Sequence, residues 1–139
     1  MKQNLFIDTS VICSLYNSKD SLHIKAQGIK PLLDIYNPVV SNFILLETYT
    51  VLSQRISKHF SVDFGKNVYK DRIFTVIWID RKLEEEIWDI FVSIKDKNFS
   101  YVDASTLAVL KKERIGNLLS FDSSFAKLEE KFNFKLIGA

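Results

Sequence analysis

The sequence has few of the residues that break regular structure or cross-link a chain. It contains four glycines, two prolines and one cysteine among 139 residues. One cysteine excludes an internal disulfide, and with only two histidines it also excludes a Cys/His zinc site. The low glycine and proline content, with 47% hydrophobic residues, excludes a disordered or collagen-like chain.

Long hydrophobic runs are also missing. Typical apolar runs, such as Phe43 to Leu46 and Val76 to Ile79, are short, whereas a membrane-spanning helix needs about 18 apolar residues. The first residues carry one lysine and reach Asp8 after only three apolar side chains, which is unlike a signal peptide. We therefore expect a soluble cytoplasmic protein, without membrane association, that forms one domain over residues 1–139.

Charge of neither sign dominates the chain. The 19 Lys and Arg residues nearly balance 17 Asp and Glu residues, which favours a nucleic-acid partner only weakly. Bases concentrate after the second predicted strand, interleaved with aromatic side chains. The bases are Arg55, Lys58, Lys66, Lys70 and Arg72, and the aromatic residues are Tyr49, Phe60, Phe64 and Tyr69. A solvated helical face and a surface for RNA or a partner chain both fit this stretch.

Short apolar runs alternate with amphipathic segments along the chain. The pattern predicts strands at 4–7, 38–41, 75–79, 117–121 and 134–137, with helices at 9–17, 21–36, 43–58, 62–72, 83–95 and 100–114. The strand at 75–79 is typical of a fully buried one, and Gly116 is the predicted helix stop. This alternation predicts a three-layer α/β/α sandwich with a central parallel sheet. Ligands of such sheets bind outside the carboxyl ends of the strands.

Four acidic residues are expected near that edge of the sheet. Asp8 and Asp122 each follow a predicted strand, and Asp103 begins a helix behind the capping residue Ser100. Glu47 lies on the apolar stripe of its helix, without a basic residue three or four positions away. Taken singly, helix capping accounts for each aspartate and an edge-of-core position accounts for the glutamate.

Taken together, the four carboxylates indicate a cation site near the amino ends of helices. Crowded carboxylates raise one another's pKa and destabilise a fold unless a cation neutralises them. Mg²⁺ or Mn²⁺ prefers such oxygen ligands and binds through a few carboxylates, water and substrate phosphates. Such a centre aligns a water against a phosphodiester and stabilises the leaving oxygen.

Four short motifs carry a resemblance to a known family. They are Phe6-Ile7-Asp8-Thr9-Ser10, Asn42-Phe43-Ile44-Leu45-Leu46-Glu47, Tyr101-Val102-Asp103-Ala104-Ser105-Thr106 and Leu119-Ser120-Phe121-Asp122-Ser123-Ser124-Phe125. Their order and spacing over residues 4–137 resemble a PIN domain, and within that family a VapC-type ribonuclease toxin. Each motif alone is weakly specific for the family. The ordered set of four motifs in a chain this short is fairly specific.

The resemblance implies a Mg²⁺- or Mn²⁺-dependent endoribonuclease in which a metal-activated water attacks the scissile phosphate in line. Asp8, Glu47, Asp103 and Asp122 are then the catalytic and metal-binding acids. Asp8 and Asp103 hold the principal ion, Asp122 lies close to it, and Glu47 completes the site through a water or a second ion. Relatives often carry a further acid where this chain has Ser123 and Ser124, so the number of ions stays open.

Four hydroxyl side chains near the acids in the sequence each have two possible roles. Thr9, Ser10, Ser41 and Thr106 either orient the carboxylates by hydrogen bonds or cap helices. We expect both His23 and His59 at the surface, and Cys13 in the core.

The resemblance also implies partners: an RNA substrate, a cognate antitoxin and a second copy of the chain in a homodimer. The helices at 43–58 and 62–72 would form the antitoxin groove and part of the dimer surface. Two alternatives stay open, an RNA-processing nuclease outside a toxin–antitoxin pair and a non-catalytic PIN-like binding module. A dehalogenase-type phosphatase is excluded because Ser10 stands where it needs an acid, and a receiver domain because residues 2–6 contain none.

Overall fold

The computed structural model describes residues 1–139 and contains one sheet of five parallel strands. The strands are β1 (Asn4–Ile7), β2 (Asn37–Ser41), β3 (Thr75–Ile77), β4 (Asn117–Leu119) and β5 (Lys135–Ile137). Their order across the sheet is β3-β2-β1-β4-β5, and every neighbouring pair is parallel. The predicted parallel sheet is confirmed, and each predicted strand has its counterpart.

Eight α-helices connect and cover the strands. They are α1 (Thr9–Tyr16), α2 (His23–Ile29), α3 (Leu32–Ile35), α4 (Asn42–Arg55), α5 (Lys58–Tyr69), α6 (Arg81–Ser93), α7 (Tyr101–Glu113) and α8 (Glu129–Phe132), with a 3₁₀ helix at Ser123–Leu128. In the central strand, consecutive residues Leu5, Phe6 and Ile7 are at most 1% exposed. Since successive strand side chains point to opposite faces, helices cover both faces of the sheet, as predicted for a three-layer sandwich. None of the helices combines the length and apolarity needed to cross a bilayer.

Two predicted helices have different bounds. The segment 21–36 is not one helix but α2 and α3, because Pro31 lacks the N–H that a continuous helix needs and stands at the start of α3. Helix α4 ends at Arg55, three residues early, and α5 starts at Lys58 instead of 62. Ser57 causes this break, since its Oγ accepts a hydrogen bond from Phe60 N at 3.2 Å and caps α5.

Two further predictions were wrong. The segment 75–79 was predicted to be a strand buried on both faces, but β3 is a short strand at the edge of the sheet. Thr75 in β3 is exposed, and Trp78 just beyond β3 is 68% exposed. Helix α7 ends at Glu113, close to the predicted end at about 114, but its left-handed cap is Arg114, with φ 53°, and not the predicted stop Gly116. The turn closes there because Ile115 N donates to Leu110 O at 3.0 Å and the Ile115 side chain is buried.

The central strand marks a change of direction in the topology. From β1 the chain moves to β2 on one side, and later to β4 on the other. Beyond β1, Asp8 N donates to Leu119 O at 2.9 Å, which extends the pairing with β4. The carboxyl ends of β1 and β4 therefore form the crevice in which parallel α/β sheets bind ligands.

Candidate active site

Asp8 follows the last residue of β1 and is 6% exposed. It stands at the N-cap of α1, but its side chain does not cap the helix. Its Oδ2 instead accepts hydrogen bonds from Ser10 Oγ at 2.8 Å and Ser120 Oγ at 2.7 Å. Burial raises the pKa of Asp8, and the two hydroxyl donors only partly oppose that rise. The capping explanation therefore fails for Asp8, whose Oδ1 is left free of side-chain donors.

Asp122 is joined to Asp8 through Ser120. Ser120 Oγ, which donates to Asp8, also accepts from Asp122 N at 3.0 Å. Phe121 N donates to Ser10 Oγ at 3.2 Å, so both hydroxyls link the end of β1 to the loop after β4. Asp122 Oδ1 caps the 3₁₀ helix by accepting from Ser124 N at 2.9 Å. Its second carboxylate oxygen accepts no hydrogen bond from the protein.

Asp103 lies in the first turn of α7, as the capping-box pattern predicts. Its Oδ2 accepts from Ser100 N at 3.0 Å, while its own N–H donates to Ser100 Oγ at 3.0 Å. Desolvation, with the nearby charges of Asp8 and Asp122, raises the pKa of Asp103 to about 6. Capping thus uses one carboxylate oxygen and leaves Oδ1 without a protein donor.

Glu47 lies in the second turn of α4, so the expectation of four acids near helix amino ends holds for only three. Its side chain is half-buried. Desolvation first, and then the Asp8 charge, raises the pKa of Glu47, while the nearby Thr9 hydroxyl opposes the rise. Thr9 Oγ1 is close to Glu47 but does not meet hydrogen-bond geometry with any partner. Glu47 is therefore a partly desolvated carboxylate without a firm protein partner.

The four acids share one neighbourhood, with Asp8 at its centre. The Asp8 charge contributes to the raised pKa of both Glu47 and Asp103, and the Asp122 charge contributes to that of Asp8. The ion pairs of the molecule are His59–Asp63 and Lys127–Asp96, which lie elsewhere. None of the four acids therefore forms an ion pair with a Lys, Arg or His side chain. No three of these carboxylates lie close enough together in this structure to hold a metal ion by themselves. The arrangement is an open, uncompensated acidic cluster.

Two buried threonine hydroxyls close to these acids, those of Thr9 and Thr106, lack hydrogen-bond partners, as do the buried hydroxyls of Thr48 and Tyr49. Thr9 lies beside Glu47, and Thr106 lies one helical turn after Asp103. Buried hydroxyls without a partner are rare in folded proteins and indicate unfilled polar sites. Of the four polar residues singled out in the sequence, Ser10 orients Asp8, whereas Ser41 caps α4 by accepting from Ile44 N at 3.2 Å.

Sequence reasoning missed Ser120 as a residue that orients the cluster. The available signal was a serine at the end of an apolar strand, two residues before Asp122. It was also wrong to group Phe64 with surface aromatics, because Phe64 is fully buried and packs edge-on against Tyr16 and Tyr49. Phe60 and Tyr69 are exposed, and so are the five bases of that stretch, none of which forms an ion pair.

The two histidines and the cysteine do not join the cluster. His59 is exposed and pairs with Asp63 at 3.2 Å. His23 is partly buried and its Nδ1 lies 2.7 Å from Ser14 O, so the ring must donate there. Cys13 is 8% exposed and belongs to the core, as expected.

Comparison with known proteins identifies the class that this fold and acidic cluster define. Residues 5–131 match the PIN domain family. The chain therefore belongs to the PIN domain family, as the four motifs indicated.

Particular relatives are similar along nearly the whole chain. The 23S rRNA-specific endonuclease VapC20 of Mycobacterium tuberculosis is 33% identical over 127 residues, which cover 88% of this chain and 92% of VapC20. The crystal structure of that protein, described as a sarcin-ricin loop cleaving toxin, superposes with a TM-score of 0.79 and 28% identity over 88% of this chain and 93% of that one. FitAcB from Neisseria gonorrhoeae superposes with a TM-score of 0.66 over 95% of each chain, at 12% identity, which shows a likeness of fold alone.

Proposed function

We propose that this protein is a divalent-metal-dependent endoribonuclease, the toxin of a type II toxin–antitoxin pair. The observation that carries the proposal is the cluster of four carboxylates around Asp8 with no basic side chain to neutralise it. The similarity to an RNA endonuclease at 33% identity supports the same reaction class. Since the relative acts on 23S rRNA, a structured ribosomal RNA is the first substrate to test.

The donor set fits Mg²⁺ or Mn²⁺. Asp8, Asp103 and Asp122 each use one carboxylate oxygen in hydrogen bonds to the protein and keep the other free of such bonds from side chains. Free carboxylate oxygens, with partnerless threonine hydroxyls nearby, match the oxygen-and-water surroundings of hard cations. We assign Asp8 and Asp103 as the principal ligands, with Asp122 beside them and Glu47 completing the site.

The chain's own residues prepare this chemistry. When bound, a divalent cation supplies Lewis acidity, which lowers the pKa of water and offsets phosphate charge. Ser10 and Ser120 hold the Asp8 carboxylate in one orientation through its Oδ2 atom. The orientation of Oδ1 is therefore fixed before a cation binds. Asp103, with its pKa near 6, must release its proton to bind a cation. Glu47, partly desolvated and without a firm protein partner, would complete the site through a metal-bound water or a second ion.

The proposed biology includes two protein partners. A toxin of this kind acts in the cytoplasm and is held inactive by a cognate antitoxin. We assign the exposed surface of α4 and α5, with Phe60, Tyr69 and the unpaired bases, to the antitoxin and to homodimer contacts. Aromatic residues and arginine are enriched in protein interfaces, and Phe60, Tyr69, Arg55 and Arg72 supply exposed side chains of these types here.

The test is cleavage of 23S rRNA by protein freed of bound partners by unfolding and refolding. We expect cleavage with Mg²⁺ or Mn²⁺, and its loss with EDTA and in the Asp8→Asn and Asp103→Asn variants. Asp71→Asn, which changes an exposed acid outside the cluster, is the matched control and should cleave like the wild type. Mn²⁺ should also raise the melting temperature of the wild type and of the control, but not that of the two cluster variants.

Each proposal has a contrary result. Cleavage that survives EDTA and both cluster variants would show a contaminating or metal-independent nuclease. Absence of cleavage together with no metal-induced rise in melting temperature would favour the non-catalytic binding module. Metal-dependent cleavage without a small protein encoded beside the gene would favour RNA processing outside a toxin–antitoxin pair.

A further inference from the structure

A groove opens beside Glu47, between α4 and the start of α7. Phe43, Leu46, Glu47, Val51, Tyr101 and Val102 line it, and its volume is about 420 Å³. That volume lies within the range of about 300 to 1,000 Å³ for pockets that hold small ligands. The walls are apolar apart from Glu47 at one side and Thr50, and Leu46 on the rim is 67% exposed. The groove therefore combines an apolar interior with one acid of the cluster, Glu47, in its wall.

Aromatic rings form a continuous row that begins in this groove. Phe43 and Tyr101 lie 6.3 Å apart between ring centroids with planes inclined by 30°. Tyr101 then contacts Phe91 edge-on at 5.4 Å, and Phe91 lies 6.3 Å from Trp88, which is 58% exposed. The row leads from the groove to the outer surface of α6.

The two rings that line the groove pack against the core at one side and stay partly exposed at the other. The buried residues of α4 and α7, such as Ile44, Leu45 and Leu107, fill the interior, whereas Phe43 and Tyr101 stay partly exposed. Partly exposed flat rings beside a catalytic cluster are the usual platforms on which unpaired RNA bases stack. Since Glu47 both lines the groove and feels the charge of Asp8, a nucleotide at the acids is within reach of these rings.

We propose that this groove holds an unpaired nucleobase next to the scissile phosphate, stacked on Tyr101 and Phe43. The inference rests on the proposed endoribonuclease function and specifies its substrate as a looped, single-stranded segment of RNA. An uncharged base suits the apolar walls, while the charged phosphate belongs with the acids and their cation. Stacking tolerates any base, so this subsite selects for an unpaired nucleotide and not for sequence.

The experiment compares Tyr101→Leu, which keeps apolar volume without the flat ring, with Tyr101→Phe. The substrate is a hairpin RNA whose loop carries the fluorescent base 2-aminopurine at the cleavage position. We expect Tyr101→Leu to raise KM about tenfold and to lose the fluorescence quenching that stacking causes, whereas Tyr101→Phe stays within about twofold of the wild type. Trp78→Leu, which removes an exposed ring just beyond β3 and outside the groove, is the matched control and should change neither value.

The outcomes separate this inference from the proposed function. If the wild type cleaves and Tyr101→Leu has an unchanged KM and unchanged quenching, the stacking subsite is wrong and the nuclease stands. If Tyr101→Leu changes a dimer into a monomer in sedimentation, the groove is a contact between copies and the inference falls. If the wild type neither binds nor cleaves the hairpin or 23S rRNA, the proposed function fails first. A metal-induced rise in melting temperature like that of the wild type shows that each variant is folded.

Discussion

Ser120 and Asp8, which are 112 residues apart in the chain, are joined by a 2.7 Å hydrogen bond in the interior. Ser120 Oγ donates to Asp8 Oδ2 and accepts from Asp122 N, so one hydroxyl connects two acids of the cluster. A donor to an ionised carboxylate stabilises its charged form. Ser120 thereby orients Asp8 at the crevice between β1 and β4 and partly offsets the rise in its pKa that burial causes.

Replacing Ser120 with alanine should weaken metal binding. The variant loses a donor to Asp8 and leaves Asp122 N without its acceptor, and loss of a hydrogen bond behind a metal ligand costs about 10- to 100-fold in affinity. Titration of Mn²⁺ by calorimetry measures this change. Ser93→Ala is the control, since that hydroxyl bonds only the Ile90 carbonyl on an exposed helix. Equal Mn²⁺ affinity in Ser120→Ala and the wild type would contradict the role of Ser120.

The metal-free protein should be more stable at pH 5 than at pH 7.5. The pKa of Asp103 is about 6 in the folded protein against 3.8 for an ordinary aspartate. A raised folded pKa contributes stability that is fully present below the unfolded pKa of 3.8 and is lost progressively as the pH rises through about 6, so part of the loss falls between pH 5 and pH 7.5. The lowered pKa of Asp80 acts in the opposite sense but only in more acidic solution, below this window.

Asp103→Asn should flatten this dependence on pH. Its amide oxygen still accepts from Ser100 N, so the capping box survives while the charge is gone. We expect a gain of about 1 kcal/mol, or ~3 °C in melting temperature, at pH 7.5 in EDTA, about half of that gain at pH 5, and none below about pH 4. Thermal unfolding at the two pH values measures this, and a variant as pH-sensitive as the wild type would show that other acids dominate.

Arg114→Gly should stabilise the protein. Arg114 ends α7 with φ 53°, a conformation that glycine adopts without the steric cost of a side chain. We expect a gain of about 0.5 to 1 kcal/mol in the free energy of unfolding by urea denaturation. Lys112→Gly, two residues earlier inside the helix, should instead lose about 1 kcal/mol. If both variants lose stability equally, the Arg114 side chain makes contacts that outweigh the backbone strain.

Cys13 should be inert to alkylation while the protein is folded. It is 8% exposed, and burial raises the pKa of its thiol to about 12, so very little reactive thiolate exists at neutral pH. Iodoacetamide labelling followed by mass spectrometry should be slow in buffer and fast in denaturant. Rapid labelling of the folded protein would place Cys13 in a segment that opens readily.

The hydrophobic pattern of the sequence predicted most of the fold correctly. Alternating strand and helix periods located all five strands, and Asp8, Asp103 and Asp122 stood at element ends where parallel topology gathers them. The pattern located boundaries less well, as at Ser57 and Arg114, where a side-chain cap or a buried Ile115 ends a helix. It also could not tell an edge strand from a central one, because β3 has the composition of a buried strand and its position depends on strand order.

The amino-acid sequence by itself determined the order of the four acids and the elements that carry them, because periodicity and capping act over a few residues. Only the tertiary structure decided what surrounds those acids. Ser120 meets Asp8, and Phe43 meets Tyr101, because β1 pairs with β4 and α4 packs near α7. Such contacts join residues far apart in the chain, and they arise from burial of both sheet faces, which no local pattern encodes.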